Sequence, residues 1–280
     1  MGSNDAIDHG WLLKFLEHRI ADERVLRLIR KWLRAGIIEN GAWSETVVGA
    51  AQGASASPLL SNVYLHYGFD LWADQWRRRH AHGDVIIVRF ADDYIVGFEH
   101  RSDAQQFLDD LRGRLAKFNL ELAPEKTRLI EFGRFAARNR ARRGLGKPET
   151  FRFLGFTHIC AKAKNGSFLV KRITDSKRLR AKLRAVKTET RRRAHQPIPE
   201  QGAWLASVVR GHYAYYAVPG NIKATDAFRD QVTRHWYKAL PRRSQRTRLN
   251  WERMHRLGQQ WLPPAKITHP WPDARFDART

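Results

Sequence analysis

Cysteine is almost missing: Cys160 is the sole one in 280 residues. A single thiol excludes an internal disulfide and any zinc or iron–sulfur centre built from several cysteines. It fits a reducing cytosol, so a cytoplasmic location of bacterial type, in association with nucleic acid, is expected. Long apolar runs are missing too. No stretch approaches the roughly eighteen residues of a membrane span, so no membrane partner is expected. Met1-Gly2-Ser3-Asn4-Asp5 lacks the basic-then-apolar succession of a signal peptide. His9, His66, His158 and His212 show no metal-ligand spacing. Acidic residues are scarce, 28 Asp and Glu against 51 Lys and Arg, for a formal charge of +23. So basic a chain repels itself unless a polyanion neutralises it, which makes nucleic acid the first partner to expect.

What is present is enough to fold. Hydrophobic residues make up 42% of the chain and can supply a core. From His9 to Ala35 the apolar residues recur at three- and four-residue steps, predicting one or two amphipathic helices. Ile37 to Val48 reads as a hairpin turning at Glu39-Asn40-Gly41. Gly49 to Ser57 is a loop of small residues, and a long helix is predicted from about Pro58 to Arg79. Asp84 to Phe98 reads as a second hairpin, followed by a helix to about Phe118 that Ser102 or Asp103 can cap. Leu120 to Phe132 reads as strand, turn at Pro124, and strand; Arg134 to Pro148 reads as a loop. Two short strands joined around Asn165-Gly166 come next, and then helices over about 174–194, 200–217, 222–240 and 249–260. The proline-bearing tail is expected to be extended and packed on the body. The pattern is α+β, a mostly antiparallel sheet backed by helices and then a helical half. The boundary belongs between about Phe156 and Lys171, giving domains 1–160 and 161–280.

Asp92 and Asp93 sit at the tip of an apolar hairpin, where adjacent carboxylates repel unless a cation lies between them. Hard oxygen donors of this kind suit Mg²⁺ together with substrate phosphates, as in two-metal phosphoryl or nucleotidyl transfer. An exposed turn that merely favours Asp is the plainer alternative. Two buried-looking flanking strands argue against it. The helical half carries the second signal. Lys171, Arg172, Lys177, Arg178, Arg180, Lys182, Arg184, Lys187, Arg191, Arg192 and Arg193 face only Asp175 and Glu189 between 171 and 194. Leu179, Leu183 and Val186 give the same segment an apolar stripe, so it can dock and still present cations to phosphates. Aromatics beside the later arginines suit structured RNA. Core packing is the expected role of Trp204, Trp236, Trp251 and Trp261.

Several segments, in order, resemble group II intron-encoded reverse transcriptase/maturases. Arg89-Phe90-Ala91-Asp92-Asp93-Tyr94 resembles their Tyr-Ala-Asp-Asp box. Gln52-Gly53 with Ser57-Pro58-Leu59-Leu60-Ser61-Asn62-Val63-Tyr64-Leu65 resembles their Pro-Gln-Gly segment and the Ser-Pro-Leu-Leu stretch after it. Phe153-Leu154-Gly155-Phe156 resembles their primer-grip turn. The likeness continues through Gly211-His212-Tyr213 and Tyr215-Tyr216. It implies a polymerase palm followed by an α-helical thumb/maturase domain. By the same resemblance, Asp92 and Asp93 are catalytic and metal-binding, with Mg²⁺ as cofactor. Gln52, Gly53, Phe90, Ala91 and Lys126 would bind nucleotide and template, and Phe153, Leu154 and Gly155 would support the primer end. Ten cations, Lys171, Arg172, Lys177, Arg178, Arg180, Lys182, Arg184, Arg191, Arg192 and Arg193, would bind RNA.

The implied activity is RNA-directed DNA polymerisation with a splicing role. Its partners would be group II intron-like structured RNA, an RNA template with a DNA primer, and deoxynucleoside triphosphates. Three departures qualify it. Only Asp5-Ala6-Ile7-Asp8-His9 matches the end of the segment that supplies the third palm carboxylate, so that carboxylate and the fingers are expected before Met1. Ala50-Ala51 replaces Thr-Pro, and Phe90 replaces Tyr. Activity of this chain alone is accordingly expected to be weak or nil. The alternative is a non-catalytic RNA-binding protein with a decayed polymerase site.

Overall fold

The computed structural model describes residues 7–34, 37–39, 42–44, 56–243 and 249–272, without the side chains of 37–39, 42–44 and 242–243. The chain divides into two compact units, Met1–Leu129 and Ile130–Thr280. A boundary at 160/161 falls inside the strand Phe156–Lys162. The α+β pattern holds, but as separate two-, two- and three-stranded antiparallel sheets among the described residues, not one sheet.

In the first unit, α1 (His9–Glu17) is capped by the Asp8 carboxylate, which accepts from the Trp11 amide at 2.8 Å. α2 (Glu23–Arg34) turns Leu26, Ile29 and Leu33 inward. β1 (Ile37–Glu39) pairs with β2 (Ala42–Ser44), with Glu39 opposite Ala42; the expected turn residues Asn40 and Gly41 lie outside the described residues. The long helix forms as α3 (Ser57–Leu65) and α4 (Leu71–Arg79), joined by a π-helical turn at His66–Asp70. β3 (Val85–Phe90) and β4 (Asp93–Phe98) make the second hairpin, and α5 (Arg101–Ala116) comes after it. Phe15, Tyr64, Phe69, Trp76, Phe107 and Phe118 fill the core between these elements. The buried Tyr64 hydroxyl donates to the Phe118 carbonyl at 2.8 Å, so the ring is held as well as packed.

Two expectations fail here. Neither Ser102 nor Asp103 caps α5. His100 occupies that position without a side-chain hydrogen bond, and Asp103 is buried, accepting from the His82 amide at 2.8 Å. Leu120 to Phe132 contains no ladder strand; the Pro124 turn forms, but no strand pairs with its flanks among the described residues. Extended sequence without a hydrogen-bonding neighbour does not become sheet.

The second unit begins with α6 (Ala136–Arg142), where a loop was expected. Arg143 pairs with Glu131, and the Arg140 guanidinium donates to the Gly146 carbonyl at 3.1 Å, so the basic segment is tied down locally. β5 (Phe151–Phe153), β6 (Phe156–Lys162) and β7 (Phe168–Thr174) form one sheet, three strands where two were expected. Four helices lie near the expected limits: α7 (Ser176–Arg192), α8 (Ile198–Tyr216), α9 (Ile222–Ala239) and α10 (Trp251–Trp261). Leu205, Val209, Phe228, Val232, Trp236 and Met254 form their core. Trp236 lies in it as expected, with its indole N–H donating to Gln201 at 3.0 Å. Trp251 does not, because it stacks on Tyr237 at the surface and stays 45% exposed. The tail packs as anticipated: Leu262 is buried, and the Thr268 amide donates to the Ala217 carbonyl at 3.0 Å.

His212 is buried between Phe228, 3.8 Å from its ring, and Tyr216 at 4.6 Å. Burial, and then the charge of Lys182, push its pKa down to about 4. The unfolded chain, with His near 6.5, therefore takes up a proton that the folded chain refuses. Stability is complete above about pH 6.5 and is lost as pH falls toward 4, at up to about 1.4 kcal/mol per pH unit. Urea unfolding of the chain and of His212→Leu at pH 7 and pH 5 checks this. The variant should show the shallower loss, and equal losses would contradict it.

Candidate functional site

The carboxylate turn is a two-residue connection: Phe90 pairs with Asp93, leaving Ala91 and Asp92 between the strands. Ala91 has φ +53°, in the left-handed region, which costs a non-glycine residue about 1–2 kcal/mol. Something must hold it there, and Arg89 does. Its Nη1 donates to the Ala91 carbonyl at 2.8 Å and to Asn62 Oδ1 of α3 at 2.9 Å. Its Nε and Nη2 grip both oxygens of Asp70 at 2.6 Å. Asp70 closes the π-helical turn, a distortion often found at functional sites. The motif named only the aspartates. Arg89, Asp70 and Asn62 were missed as braces, although the Arg preceding the box was a readable signal.

Arg89 spends its donors on these three groups and offers none to Asp92 or Asp93. Among the described residues neither carboxylate has a hydrogen-bond or ion-pair partner. Asp92 is half-buried and Asp93 exposed. Asp93 and Asp92, with Glu125, are among the charges acting on the exposed Lys126 ammonium, so the fold brings these three predicted site residues into one electrostatic neighbourhood. No group of three or more His, Cys, Asp or Glu residues is placed to hold a metal among the described residues. Two carboxylates suffice for Mg²⁺ where waters and substrate phosphates complete its shell, so this donor set fits that ion. Phe90 is 63% exposed, on the same face of β3 as Ile86 and Val88. Gln52 and Gly53 lie outside the described residues.

The second turn belongs to the other unit and repeats the device. Phe153 pairs with Phe156, leaving Leu154 at φ +47° and Gly155 at φ +77°, both positive as a type I′ turn demands. The Tyr215 hydroxyl donates to the Leu154 carbonyl at 2.8 Å, and the Asp175 amide to the Gly155 carbonyl at 2.9 Å. A Cβ on Gly155 would lie 2.8 Å from the Tyr216 hydroxyl, so this glycine permits close approach as well as the turn. Asp175 also accepts from the Lys177 and Arg178 amides as the cap of α7, and pairs with Arg152 at 2.9 Å. Buried Asn221 donates to Thr174 Oγ1 and to the Tyr216 carbonyl, each at 2.8 Å. The Tyr215-Tyr216 pair therefore braces the Phe153–Phe156 turn, a role its sequence position did not reveal.

The ten expected RNA-binding cations are not equivalent. Lys177, Arg180, Arg184 and Arg191, with Lys187, recur at three- and four-residue steps and are exposed along α7. At 1.5 Å per residue that stripe runs about 21 Å. Arg178 and Lys182 line a second groove-side edge against α8. Arg192 and Arg193 are instead engaged by Glu189 at 2.8 and 2.6 Å, which holds that carboxyl down at about 2. Arg193 also lies over the Trp204 ring. Lys171 and Arg172 belong to β7 and are half-buried.

A family model described as reverse transcriptase (RNA-dependent DNA polymerase) matches residues 4–158. The chain is 43% identical to the group II intron-encoded protein LtrA of Lactococcus lactis subsp. cremoris over 23% of this chain and 11% of that protein. It is 27% identical to protein YkfC of Escherichia coli K12 over 45% of this chain and 40% of that one. It is 33% identical to the putative COX1/OXI3 intron 1 protein of Saccharomyces cerevisiae over 44% and 20% respectively. The matches thus span from 11% to 40% of the lengths of these curated relatives.

The brace on the carboxylate turn can be tested by itself. Arg89→Gln should lower unfolding stability by about 1.5–3 kcal/mol, the range for hydrogen bonds to a charged group. Ala91→Gly, which removes the left-handed strain, should leave stability unchanged or higher. Denaturant midpoints decide both, and a neutral Arg89→Gln would remove the brace.

Proposed function

Because the chain belongs to the reverse transcriptase (RNA-dependent DNA polymerase) family, we propose that it carries the palm and the basic helical thumb of a group II intron-type enzyme. The palm corresponds to the unit holding the Asp92-Asp93 turn, and the thumb/maturase part to the helices from α7 onward. In this reading Asp92 and Asp93 hold Mg²⁺ and Lys126 meets the nucleotide phosphates. The Phe153–Gly155 turn supports a DNA primer, with Gln52, Gly53, Phe90 and Ala91 at the nucleotide and template. Bound Mg²⁺ would supply charge neutralisation at the reacting phosphate. Arg89 fixes the turn on which the carboxylates sit, and Lys126 brings a cation to the same edge. The observation that carries the reading is the unpartnered pair of carboxylates on a strained, braced turn. Two adjacent carboxylates on such a turn, neither with a hydrogen-bond or ion-pair partner among the described residues, repel each other in a way that a bound cation relieves.

RNA binding rests on a separate observation, the one-sided cationic stripe of α7. If the chain binds RNA without extending a primer, the non-catalytic reading replaces the first. The two-carboxylate donor set is what keeps that second reading open.

Primer extension on an RNA template with Mg²⁺ tests the first reading. Asp92→Ala should lower extension by about 100-fold or more while leaving RNA affinity within twofold, as loss of a charge-stabilising group does. Extension that survives the substitution intact would sink the metal-site assignment. For the stripe, log affinity should fall with log salt at a slope of about −0.7 to −0.9 per phosphate neutralised. Arg184→Gln with Arg191→Gln should make that slope shallower by about 1.5, whereas Arg192→Gln, already paired, should change it little. Equal effects from Arg184, Arg191 and Arg192 would show that the stripe has no special role.

A further inference from the structure

The Phe153–Phe156 turn borders a recess of about 320 Å³ within the second unit. Its walls are Phe153 and Phe156 from the turn, Tyr215 from α8, and His269, Pro270 and Pro272 from the tail. The tail is fixed over it, since the His269 ring meets the Ala214 carbonyl at 2.7 Å. Arg172 of β7 and His158 of β6, directly opposed across the strand pair, line the same recess.

Arg172 is the anomaly. Arg152 of β5 pairs with Asp175 at 2.9 Å, yet the half-buried Arg172 guanidinium forms no hydrogen bond or ion pair among the described residues. Burial alone pulls its pKa down. His158 stacks on Phe151 at 4.7 Å, and its buried Nδ1 likewise has no hydrogen-bond partner among the described residues. Burial and then Arg172 push its pKa below the usual value, while the Phe156 backbone opposes them. An unpaired, partly desolvated cation is costly, and an anion entering the recess would relieve it. The walls are rings, so a bare anion would leave most of the recess unfilled. The volume is that of a small-ligand site.

We propose that this recess takes one nucleotide of a single-stranded nucleic acid, its phosphate on Arg172 and its base or ribose against Phe153, Tyr215 and Pro270. Unstacked nucleotides are held in this way, by a guanidinium and aromatic faces. The proposal rests on the reading of the helical half as a nucleic-acid surface, and assigns to Arg172 a different role from the exposed α7 stripe. Arg172 recognises one nucleotide in a fixed place; the stripe attracts phosphates in general.

The test uses the full chain and labelled hexauridylate and hexathymidylate, with uridine monophosphate and inorganic phosphate as competitors. Arg172→Gln should weaken hexanucleotide binding about tenfold or more, as loss of a charged hydrogen bond does. Arg184→Gln on the stripe should weaken it no more than about threefold. Arg172→Lys, which keeps the charge but loses the planar fork, should fall between. Uridine monophosphate should displace the probe better than inorganic phosphate. In the wild-type chain, the His158 ring resonances should shift on binding, a readout that does not depend on how any variant folds. Hexanucleotide affinity unchanged in Arg172→Gln but reduced in Arg184→Gln would overturn the recess and leave the stripe standing. Displacement by inorganic phosphate as effective as by the nucleotide would overturn it too. If the wild type bound neither hexanucleotide nor structured RNA, the nucleic-acid reading itself would fall and take the recess with it.

Discussion

Arg89 carries the carboxylate turn. A guanidinium offers a fixed fork of donors, and here one edge takes both oxygens of Asp70 while the remaining nitrogen ties the Ala91 carbonyl to Asn62. That one side chain joins the hairpin tip to α3 and to the π-helical turn, so three elements must be in place before the turn is. The π-helical turn is then intelligible: it lets Asp70 close the helix at the position where Arg89 needs an acceptor. Lysine could not replace Arg89, because a single ammonium lacks the second and third aligned donors.

The second turn reaches the same end by different means. Leu154 and Gly155 are held by a tyrosine hydroxyl and a helix-capping residue, with Asn221 fixing the strand end that leads into α7. In both turns a non-glycine residue sits in the left-handed region and accepts a hydrogen bond on its own carbonyl from a side chain elsewhere. Strain of this kind persists only where its surroundings over-determine it, and it collects where a backbone must be presented to something else.

Much of this was legible in the sequence, and the failures have a common cause. Helices with a clear apolar stripe, such as α2 and α7, appeared where periodicity put them, and β1 and β2 pair antiparallel as the expected hairpin implies. Local pattern was sufficient there. Leu120 to Phe132 has strand-like alternation but no strand beside it among the described residues, and pairing is a non-local fact that a local pattern cannot carry. Asp103 looked like a cap because Asp usually is one; burial and His82 gave it another use. For the candidate site, the motif pointed to Asp92, Asp93 and the Phe153–Phe156 turn but not to the side chains that hold these turns. Arg89 with Asp70, and Tyr215 with Leu154, are partners separated by 19 and 61 positions, and only the fold brings them together.

Charge shows the same division between composition and structure. Counting Lys and Arg from 171 to 194 treats every cation alike, yet Glu189 occupies two of them, Arg172 is withdrawn into a ringed recess, and a solvent-facing stripe remains on α7. These populations differ in what they can do. Paired arginines contribute local order and little attraction; a surface pair is worth at most about 1 kcal/mol. Exposed unpaired cations release counterions and respond steeply to salt. A half-buried unpaired guanidinium has already lost part of its hydration, so a phosphate reaching it displaces less water and gains more per contact. Formal charge of +23 therefore describes attraction to a polyanion at a distance, while the selectivity of contact belongs to the few cations that the fold leaves without a partner.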